Sequence, residues 1–403
     1  MKFKLLLAYL NTLTFSCVQM VLYITIPYIA TQTGVMTSSI IAAISVGSLV
    51  FAGTGPFWAA QSDRSGRERV LSLGMFGMFL SFLCLTLLFV FNKDLSMGSK
   101  VFIVFLGRIL YGLLVSAVVP VSQAWQLDLI PEGDRMKVLT RNSMFLNLGR
   151  ILGPILVLAK QVQFEKIIFS ATGWVLVLAA TNLAFTWGRT AVRAPAVKLP
   201  FTGLVAKWKQ SLSESLYPIL LAMVFTAFVG ILHSFLGHHL KVVLGISGEA
   251  ATLMFAKLIL GLSLMAILLQ QLSLLVFKSN WKLRVVIGSS ALVLGTVIMM
   301  RSGSEGMIWV SMGFIAVATS LIPPVYLTLA SKSEAAAEGT NVFGKKLGLA
   351  SIAHSVGYAL GAGLIAVSMK LSLLSPAAVV FLISFSIMGL SFLMINKRKY
   401  QYA

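Results

Sequence analysis

Basic side chains and histidines lie deep inside the long apolar segments of this chain, where a charge is costly. These residues are Arg108, Arg150, Lys257, His233 and His354. All 12 acidic residues, by contrast, fall at the ends of the apolar segments or between them. An ionisable residue inside a membrane span is by default a functional-site hypothesis, and a planar guanidinium is well shaped to bind carboxylate or phosphate. The pattern therefore predicts a cavity that favours an anion.

Arg150 is the first candidate for contact with such an anion. It lies about twelve residues, or ~18 Å, from the inner end of the fifth apolar segment, which places it near mid-membrane. Asn147 and Pro154 share its helical face at i−3 and i+4. A structural arginine bound to backbone carbonyls is the alternative interpretation.

Two further cations and two histidines complete the ionisable set. Arg108 lies about eight residues, ~12 Å, from the outer end of its segment, and Lys257 about seven residues, ~10 Å, so that Lys257 can also snorkel to the interface. His354 is the candidate proton carrier because imidazole titrates near neutral pH, with a packing role as the alternative. The other histidines cluster toward one end of the seventh segment: His233, His238 and His239. Without a carboxylate partner they are weak evidence for a metal, and we expect no metal and no cofactor.

Polar and aromatic residues can complete a binding site. The first segment carries a mixed stripe at i+4 spacing: Asn11, Phe15, Gln19 and Tyr23. Such spacing places side chains on one side of a helix. Further hydrogen-bonding candidates are Gln123, Asn142, Tyr326 and Tyr358. For each of them an interhelical hydrogen bond is the alternative role.

The elements that must position these residues are membrane helices. The chain is 58% hydrophobic and only 11% charged over 403 residues, and a bilayer core of about 30 Å needs roughly 20 apolar residues per helix. Twelve segments meet this requirement: 5–30, 38–60, 70–91, 101–125, 138–159, 167–187, 216–240, 250–277, 285–300, 306–330, 347–369 and 371–395. We expect the first to be retained and not cleaved as a signal peptide, because it is long and no small-residue cleavage site follows it.

Lysines and arginines are concentrated in the connections on one side of these segments. This asymmetry predicts that both termini are cytoplasmic, in a multi-pass inner-membrane protein. The net charge of +20 therefore needs no nucleic acid to explain it.

The chain divides near its middle into two sets of six segments. We predict an N-terminal half at residues 1–190, a cytoplasmic linker at 191–213 and a C-terminal half at 214–403. A weak internal echo, or repeat, supports the division. Pro120, Gly149 and Gly153 in the first half have a spacing similar to that of Pro324, Gly357 and Gly361 in the second. Repeated halves with a site between them are a common plan of secondary transporters.

The connection after the second segment contains Asp63-Arg64-Ser-Gly66-Arg67. A tight turn needs Gly66, while Asp63 can accept hydrogen bonds at a helix N-terminus and Arg67 can bind a carboxylate. This segment resembles the signature of the major facilitator superfamily. The resemblance implies a conformational latch at the cytoplasmic face in which Asp128 is the partner of Arg67. Two positions depart from the pattern, Ala59 and Glu68.

Two further patterns resemble the drug and proton antiporters of that superfamily. One is Arg108-x-x-Tyr111-Gly112, with Tyr111 where glutamine is common, and the other is Gly149-x-x-x-Gly153-Pro154. Glycines four apart let helices approach closely, and Pro154 frees a carbonyl. The resemblance is closest to the exporter-like branch. It implies a monomer of two pseudo-symmetric six-helix halves, and it places Arg108 at the cavity or on a proton path.

The sequence contains no enzyme constellation and no P-loop, so transport should depend on ion or solute gradients. Cation exporters normally need an intramembrane carboxylate, which this chain lacks. We therefore expect export of a small anionic or zwitterionic metabolite, for example a carboxylate-type siderophore, by alternating access. A proton-coupled multidrug exporter, an importer of an organic anion and a lipid translocator are the alternatives. Proton antiport, anion exchange and facilitated diffusion all remain open as coupling modes.

Overall fold

The computed structural model describes residues 2–129, 135–159, 163–184, 216–277, 280–332, 341–371 and 374–397. In this part of the chain, 12 helices are long and apolar enough to cross a membrane. They are α1 (Lys2–Thr33), α2 (Thr37–Ser65), α3 (Arg67–Val90), α4 (Met97–Asp128), α5 (Arg135–Ala159), α6 (Phe164–Ala184), α7 (Leu216–Leu244), α8 (Gly248–Phe277), α9 (Trp281–Arg301), α10 (Glu305–Lys332), α11 (Asn341–Leu371) and α12 (Pro376–Asn396). The predicted all-helical membrane fold is confirmed. The predicted linker at 191–213 lies outside the described residues.

Most helices continue beyond the apolar segments that predicted them. α2 extends through the polar residues Asp63 and Arg64 to Ser65. Gly66 follows with a φ of +94° and α3 begins at Arg67. A positive φ is accessible to glycine at little cost, so the glycine permits a turn of one residue between two long helices. Hydropathy finds the apolar core of a helix but not its polar ends.

The helices group into two compact units. The first contains residues 1–197 and 246–260, and the second contains 198–245 and 261–403, so that α8 is divided between them. The boundaries given above for the two halves stay a prediction.

The glycine echo in the sequence has a counterpart in helix packing. In the first unit, a Cβ atom on Gly149 of α5 would overlap the Leu13 carbonyl oxygen of α1, and one on Gly153 would lie 2.6 Å from Met20 Cβ. In the second unit, Cβ atoms on Gly357 and Gly361 of α11 would overlap backbone carbonyls of α7. Small residues let helix backbones approach this closely. The α1–α5 contact and the α7–α11 contact are therefore built in the same way.

Candidate functional site

Arg108 lies on the buried side of α4, and only 4% of its surface is exposed. Its Cζ atom is 4.0 Å from the centroid of the Tyr111 ring, which is a cation–π contact. Tyr111 stacks in turn on Phe51 of α2, with 5.8 Å between ring centroids. Among the described residues, none of the guanidinium nitrogens has a hydrogen-bond partner. The sequence predicts a charge within this span but not that the charge is enclosed by protein.

α4 changes its winding directly after Arg108. Residues Tyr111–Val115 form a π-helical turn between the α-helical parts Met97–Leu110 and Val118–Asp128. Such wide turns are rare and occur often at functional sites. Thr54 of α2 stabilises this one, because its Oγ1 donates to the Gly112 carbonyl over 2.8 Å. The sequence patterns do not predict this turn, and their nearest signal is its first residue, Tyr111, which stands where glutamine is common in the antiporter pattern.

Glycines bring α2 into contact with this part of α4. A Cβ atom on Gly47 of α2 would lie 2.5 Å from the Arg108 carbonyl oxygen, and one on Gly112 would overlap the Gly47 carbonyl oxygen. Both obstacles are backbone atoms, which move only if a whole helix moves. Arg108 therefore occupies a tightly packed part of the first unit.

Arg150 of α5 lies in a different environment. Its side chain is exposed, and its Nη1 donates to Asn147 Oδ1 over a long 3.5 Å. The neighbouring Gly149 and Gly153 lie on a different face of the same helix, and that face packs against α1. A guanidinium exposed in the middle of a membrane helix is strongly disfavoured against lipid, so a water-filled space is the physical alternative. The pair of Arg150 and Asn147 can therefore present donors to a dissolved ligand.

Two other predicted binding residues show intermediate or high exposure in the first unit. Lys257 of α8 is exposed, and Gln123 of α4 is half-buried. Neither side chain has a hydrogen bond to another described residue.

The predicted stripe on α1 divides into two parts. Asn11 is fully buried and exchanges a pair of hydrogen bonds with Asn182 of α6, at 3.0 and 2.8 Å. Farther along, Gln19 donates to the Tyr23 hydroxyl, and Tyr23 is only 4% exposed. Asn11 thus takes the interhelical role that is the alternative for these residues, since its amide is bonded on both sides.

A buried polar cluster joins α1, α4 and α5. The amide oxygen of Asn142 accepts from Thr12 Oγ1 at 2.9 Å and from Gln126 Nε2 at 2.8 Å, and all three residues are 0% exposed. Asn142 is among the residues predicted from the sequence, but Thr12 and Gln126 are not. Thr12 and Asn142 lie inside predicted apolar segments and Gln126 lies one residue beyond the segment 101–125, but hydropathy does not indicate which of these residues meet.

In the second unit, an aromatic ring contacts the candidate proton carrier. The ring of Tyr326 meets that of His354 edge-on at 5.5 Å, and Tyr326 also contacts Phe225 at 6.2 Å. Tyr358 lies 6.1 Å from the His233 ring. Predicted residues of α7, α10 and α11 therefore meet in one region of this unit.

The other two histidines lie apart from these rings along α7. His239 is buried, and its Nε2 lies 3.2 Å from the Met299 carbonyl oxygen of α9. Within the described residues, no group of three histidine, cysteine or acidic side chains is placed to hold a metal ion. The contact of His239 with Met299 therefore joins α7 to α9.

The charged residues after α2 form a network with the end of α4. Arg67 Nη1 lies 2.5 Å from Asp63 Oδ1, and its Nε lies 2.9 Å from Asp128 Oδ2. The same guanidinium donates to Ser62 Oγ at 2.6 Å. Arg64 is exposed, beside the network. The structure thus brings Asp63, Arg67 and Asp128 together.

Glu68, one of the two residues that depart from the superfamily signature, forms an ion pair with a lysine. Glu68 Oε1 accepts from Lys4 Nζ of α1 at 2.9 Å, and this ammonium lies 6.0 Å from the centroid of the Trp125 ring of α4. Replacement of the usual basic residue by glutamate therefore ties α1 to α3 at the same end of the first unit.

A family model and several solved structures resemble the chain over almost its full length. The model described as Major Facilitator Superfamily matches residues 8–362. A D-xylose-proton symporter shares the fold with a TM-score of 0.70 at 17% identity, over 98% of this chain and 96% of that one. A peptide transporter POT crystallised in complex with sulfate gives 0.72 at 14% identity, over 98% and 94%. The nucleoside transporter NupG gives 0.67 at 11% identity, over 99% of this chain and 100% of that one. No curated protein sequence matches the chain.

Proposed function

Because the chain belongs to the Major Facilitator Superfamily and is therefore a membrane transporter, not an enzyme, we propose that it exports a small anionic or zwitterionic metabolite, such as a carboxylate-type siderophore, by alternating access. One observation carries the proposal. The side chains that bear full charge deep within the predicted apolar segments are basic, whereas all 12 acidic residues fall at the ends of these segments or between them. Fixed positive charges in a cleft with low-dielectric walls attract anions and repel cations.

Arg150 is the residue that we propose to bind the carboxylate. Its exposure leaves the guanidinium fork accessible to a solute. A fork of this kind forms two parallel charge-assisted hydrogen bonds with a carboxylate. Asn147 can hold the arginine in place or donate its amide to the same ligand. Lys257 and Gln123 are further contacts in this proposal.

Residues in the aromatic region of the second unit are also part of the proposal. Tyr326 and Tyr358 carry hydroxyl groups that can donate to an anion, and both adjoin a histidine ring. We assign proton coupling to His354, since imidazole can gain and lose a proton near neutral pH. The Asp63, Arg67 and Asp128 network is the proposed conformational latch.

Export and membrane orientation rest on the sequence patterns. The glycines of the antiporter-like pattern, Gly149 and Gly153, form the close contact of α5 with α1, and this geometry supports placement in the exporter branch. The concentration of basic residues in alternate connections supports cytoplasmic termini and an inner-membrane location. The solved neighbours share the fold alone, so they favour neither direction of transport.

A melting-temperature panel on purified protein tests the proposal. Citrate and citrate-based siderophores are compared with a lipophilic cation such as tetraphenylphosphonium. We expect the carboxylates to raise the melting temperature of the wild type and of Arg301→Ala, whose side chain is exposed at the end of α9. The rise should disappear in Arg150→Ala. Stabilisation by the lipophilic cation, unchanged in Arg150→Ala, would instead support a multidrug exporter and overturn the proposal.

A further inference from the structure

The π-helical turn of α4 separates two parts of this helix that pack against different neighbours. The first part, Met97–Leu110, and the turn itself contact α2 and α3, whereas the last part, Val118–Asp128, lies mainly against α1 and α3. A π turn contains one residue more than a turn of α-helix. Since each α-helical residue rotates the chain by about 100°, the extra residue changes the direction of every side chain that follows it. The turn therefore decides which face of the last part is buried.

The contacts of the last part of α4 depend on this rotation. Its buried residues form one stripe along the helix: Val118, Val121, Ser122, Trp125 and Gln126. From this stripe Gln126 Nε2 donates to Asn142 Oδ1 of α5 over 2.8 Å. At the end of the helix, Asp128 Oδ2 lies 2.9 Å from Arg67 Nε. A rotation of the last part by one residue would turn Gln126 and Asp128 away from these partners.

Two side chains of α2 bind the backbone of the π turn. Thr54 Oγ1 donates to the Gly112 carbonyl oxygen over 2.8 Å, and Trp58 Nε1 donates to the Leu113 carbonyl oxygen over 2.5 Å. Thr54 Oγ1 also lies 2.8 Å from Ser116 Oγ, directly after the turn. Thr54 and Trp58 are four residues apart, so they share one face of α2. Two successive carbonyls of the turn therefore accept from neighbouring side chains of a single helix.

The indole of Trp58 takes the place of a backbone donor. In a regular α-helix the Ala117 N–H would donate to the Leu113 carbonyl, four residues earlier. In this helix it donates to the Leu114 carbonyl over 3.2 Å, and the Leu113 carbonyl accepts from Trp58. A backbone carbonyl without a donor is costly within a membrane. Without the donors from α2, the turn should therefore relax to regular α-helix, in which backbone N–H groups bind these carbonyls.

We propose that Thr54 and Trp58 are positioning residues of the transporter. They hold the π turn, and through it they fix the rotation of the last part of α4 and direct Asp128 toward Arg67. Neither residue belongs to the sequence patterns that resemble the superfamily. Relaxation of the turn would rotate Asp128 by about 100° about the helix axis and break its pair with Arg67. The effect on a latch rests on the function proposed above, whereas the rotation does not.

Labelling of single introduced cysteines with N-ethylmaleimide tests the rotation in purified protein without any cargo. The native cysteines, Cys17 and Cys84, are replaced by alanine throughout. Ser122 is 0% exposed and Ala124 is half-buried, so with α2 unchanged Ala124→Cys should react faster than Ser122→Cys.

The order of the two reaction rates should reverse when both α2 donors are lost. In Thr54→Val/Trp58→Phe, relaxation of the turn moves each later residue to the position of the next one along the helix. Ala124→Cys then takes the position of Trp125, which is 3% exposed, and becomes protected. Ser122→Cys takes the half-buried position of Gln123 and becomes reactive.

Three further variants separate positioning from general stabilisation. Thr54→Ser keeps the hydroxyl and, with Trp58 intact, should keep the original order of the rates. Trp174→Phe in α6 loses a comparable indole hydrogen bond, to Thr14 Oγ1 at 3.1 Å, and should also keep it. Deletion of Leu113 from the double variant removes the extra residue of the turn, so the original order should return.

Two results would overturn the proposal. An unchanged order of the rates in the double variant, even with a lower melting temperature, would show that Thr54 and Trp58 stabilise the helices without orienting α4. Faster labelling of Ser122→Cys than of Ala124→Cys with α2 unchanged would do the same, and that result does not depend on any α2 variant folding. Neither result bears on whether carboxylates bind at Arg150.

Discussion

Arg108 and Arg150 are the same residue type in the interior of two helices of one unit, yet their surroundings differ completely. Arg108 is 4% exposed and stacks on Tyr111, whereas Arg150 is exposed and contacts Asn147. Depth in the membrane makes both charges costly. The face of the helix decides what each charge can do, since only an exposed guanidinium can exchange ligands with solution.

Glycine packing explains how the two arginines come to differ. In α4 the close contact with α2 involves the Arg108 carbonyl itself, which a Cβ on Gly47 would approach to 2.5 Å. In α5 the contact with α1 is made by Gly149 and Gly153 on a different face from Arg150. A helix that packs through its charged residue encloses the charge, and a helix that packs through another face leaves it open.

The largest expected effect comes from substitution of Gly47. Gly47→Ala should destabilise the protein by about 1–3 kcal/mol, since the new Cβ meets backbone and cannot be accommodated by a side-chain rotation. Gly53→Ala on the same helix is the matched control, because nothing lies within 4 Å of its Cβ position. This control should melt at the wild-type temperature or slightly above it. Equal melting of the two variants would mean that the surroundings of Arg108 are not tightly packed.

The two arginines should separate in a binding assay. Arg150→Met is expected to weaken binding of a stabilising carboxylate by about 10–100-fold, the range for loss of charge-assisted hydrogen bonds. Arg108→Met should leave that affinity within about threefold, because an enclosed side chain does not touch the solute. Calorimetric titration of both variants measures the difference. An equal loss of affinity in both would show that the burial of Arg108 does not exclude it from the cargo site.

A similar contrast is expected between two asparagines. Asn11→Ala should lower stability by about 1 kcal/mol, because it leaves the buried Asn182 amide without its two bonds to Asn11. Asn147 is exposed, so Asn147→Ala should leave the melting temperature almost unchanged while it reduces the affinity for the carboxylate. Melting curves and titrations on the two variants check this. The opposite ordering of their melting temperatures would contradict the division of polar residues into packing and binding groups.

The smallest effect on stability is expected at the solvated end of the first unit. The Asp128 side chain is half exposed in its pair with Arg67, at 53%, so Asp128→Asn should change stability by less than about 1 kcal/mol. Transport should nevertheless slow if the network is a latch. Asp94→Asn, an exposed carboxylate between α3 and α4, is the control that should transport at the wild-type rate. Equal rates in the two variants would argue against the latch.

Hydropathy and charge placement predict the number of helices and the fold, because a bilayer imposes one length on every span. They also identify Arg108 and Arg150 as unusual residues. They do not predict that Asn11 bonds to Asn182 or that Gln126 and Thr12 meet at Asn142, since which faces meet depends on contacts between helices that are far apart in sequence. The π turn at Tyr111–Val115 is likewise invisible to hydropathy, because it changes the winding of α4 and not its composition.

In the proposed function, the exposed Arg150 of α5 binds an anionic cargo, which the protein then exports. Uptake into inside-out membrane vesicles tests both steps, with the carboxylate that stabilises the purified protein most strongly supplied in radiolabelled form. We predict saturable uptake by the wild type, Arg301→Ala and Arg108→Met, and a loss of uptake in Arg150→Met. Uptake no greater than in vesicles without the protein would contradict export, and undiminished uptake in Arg150→Met would contradict binding at Arg150.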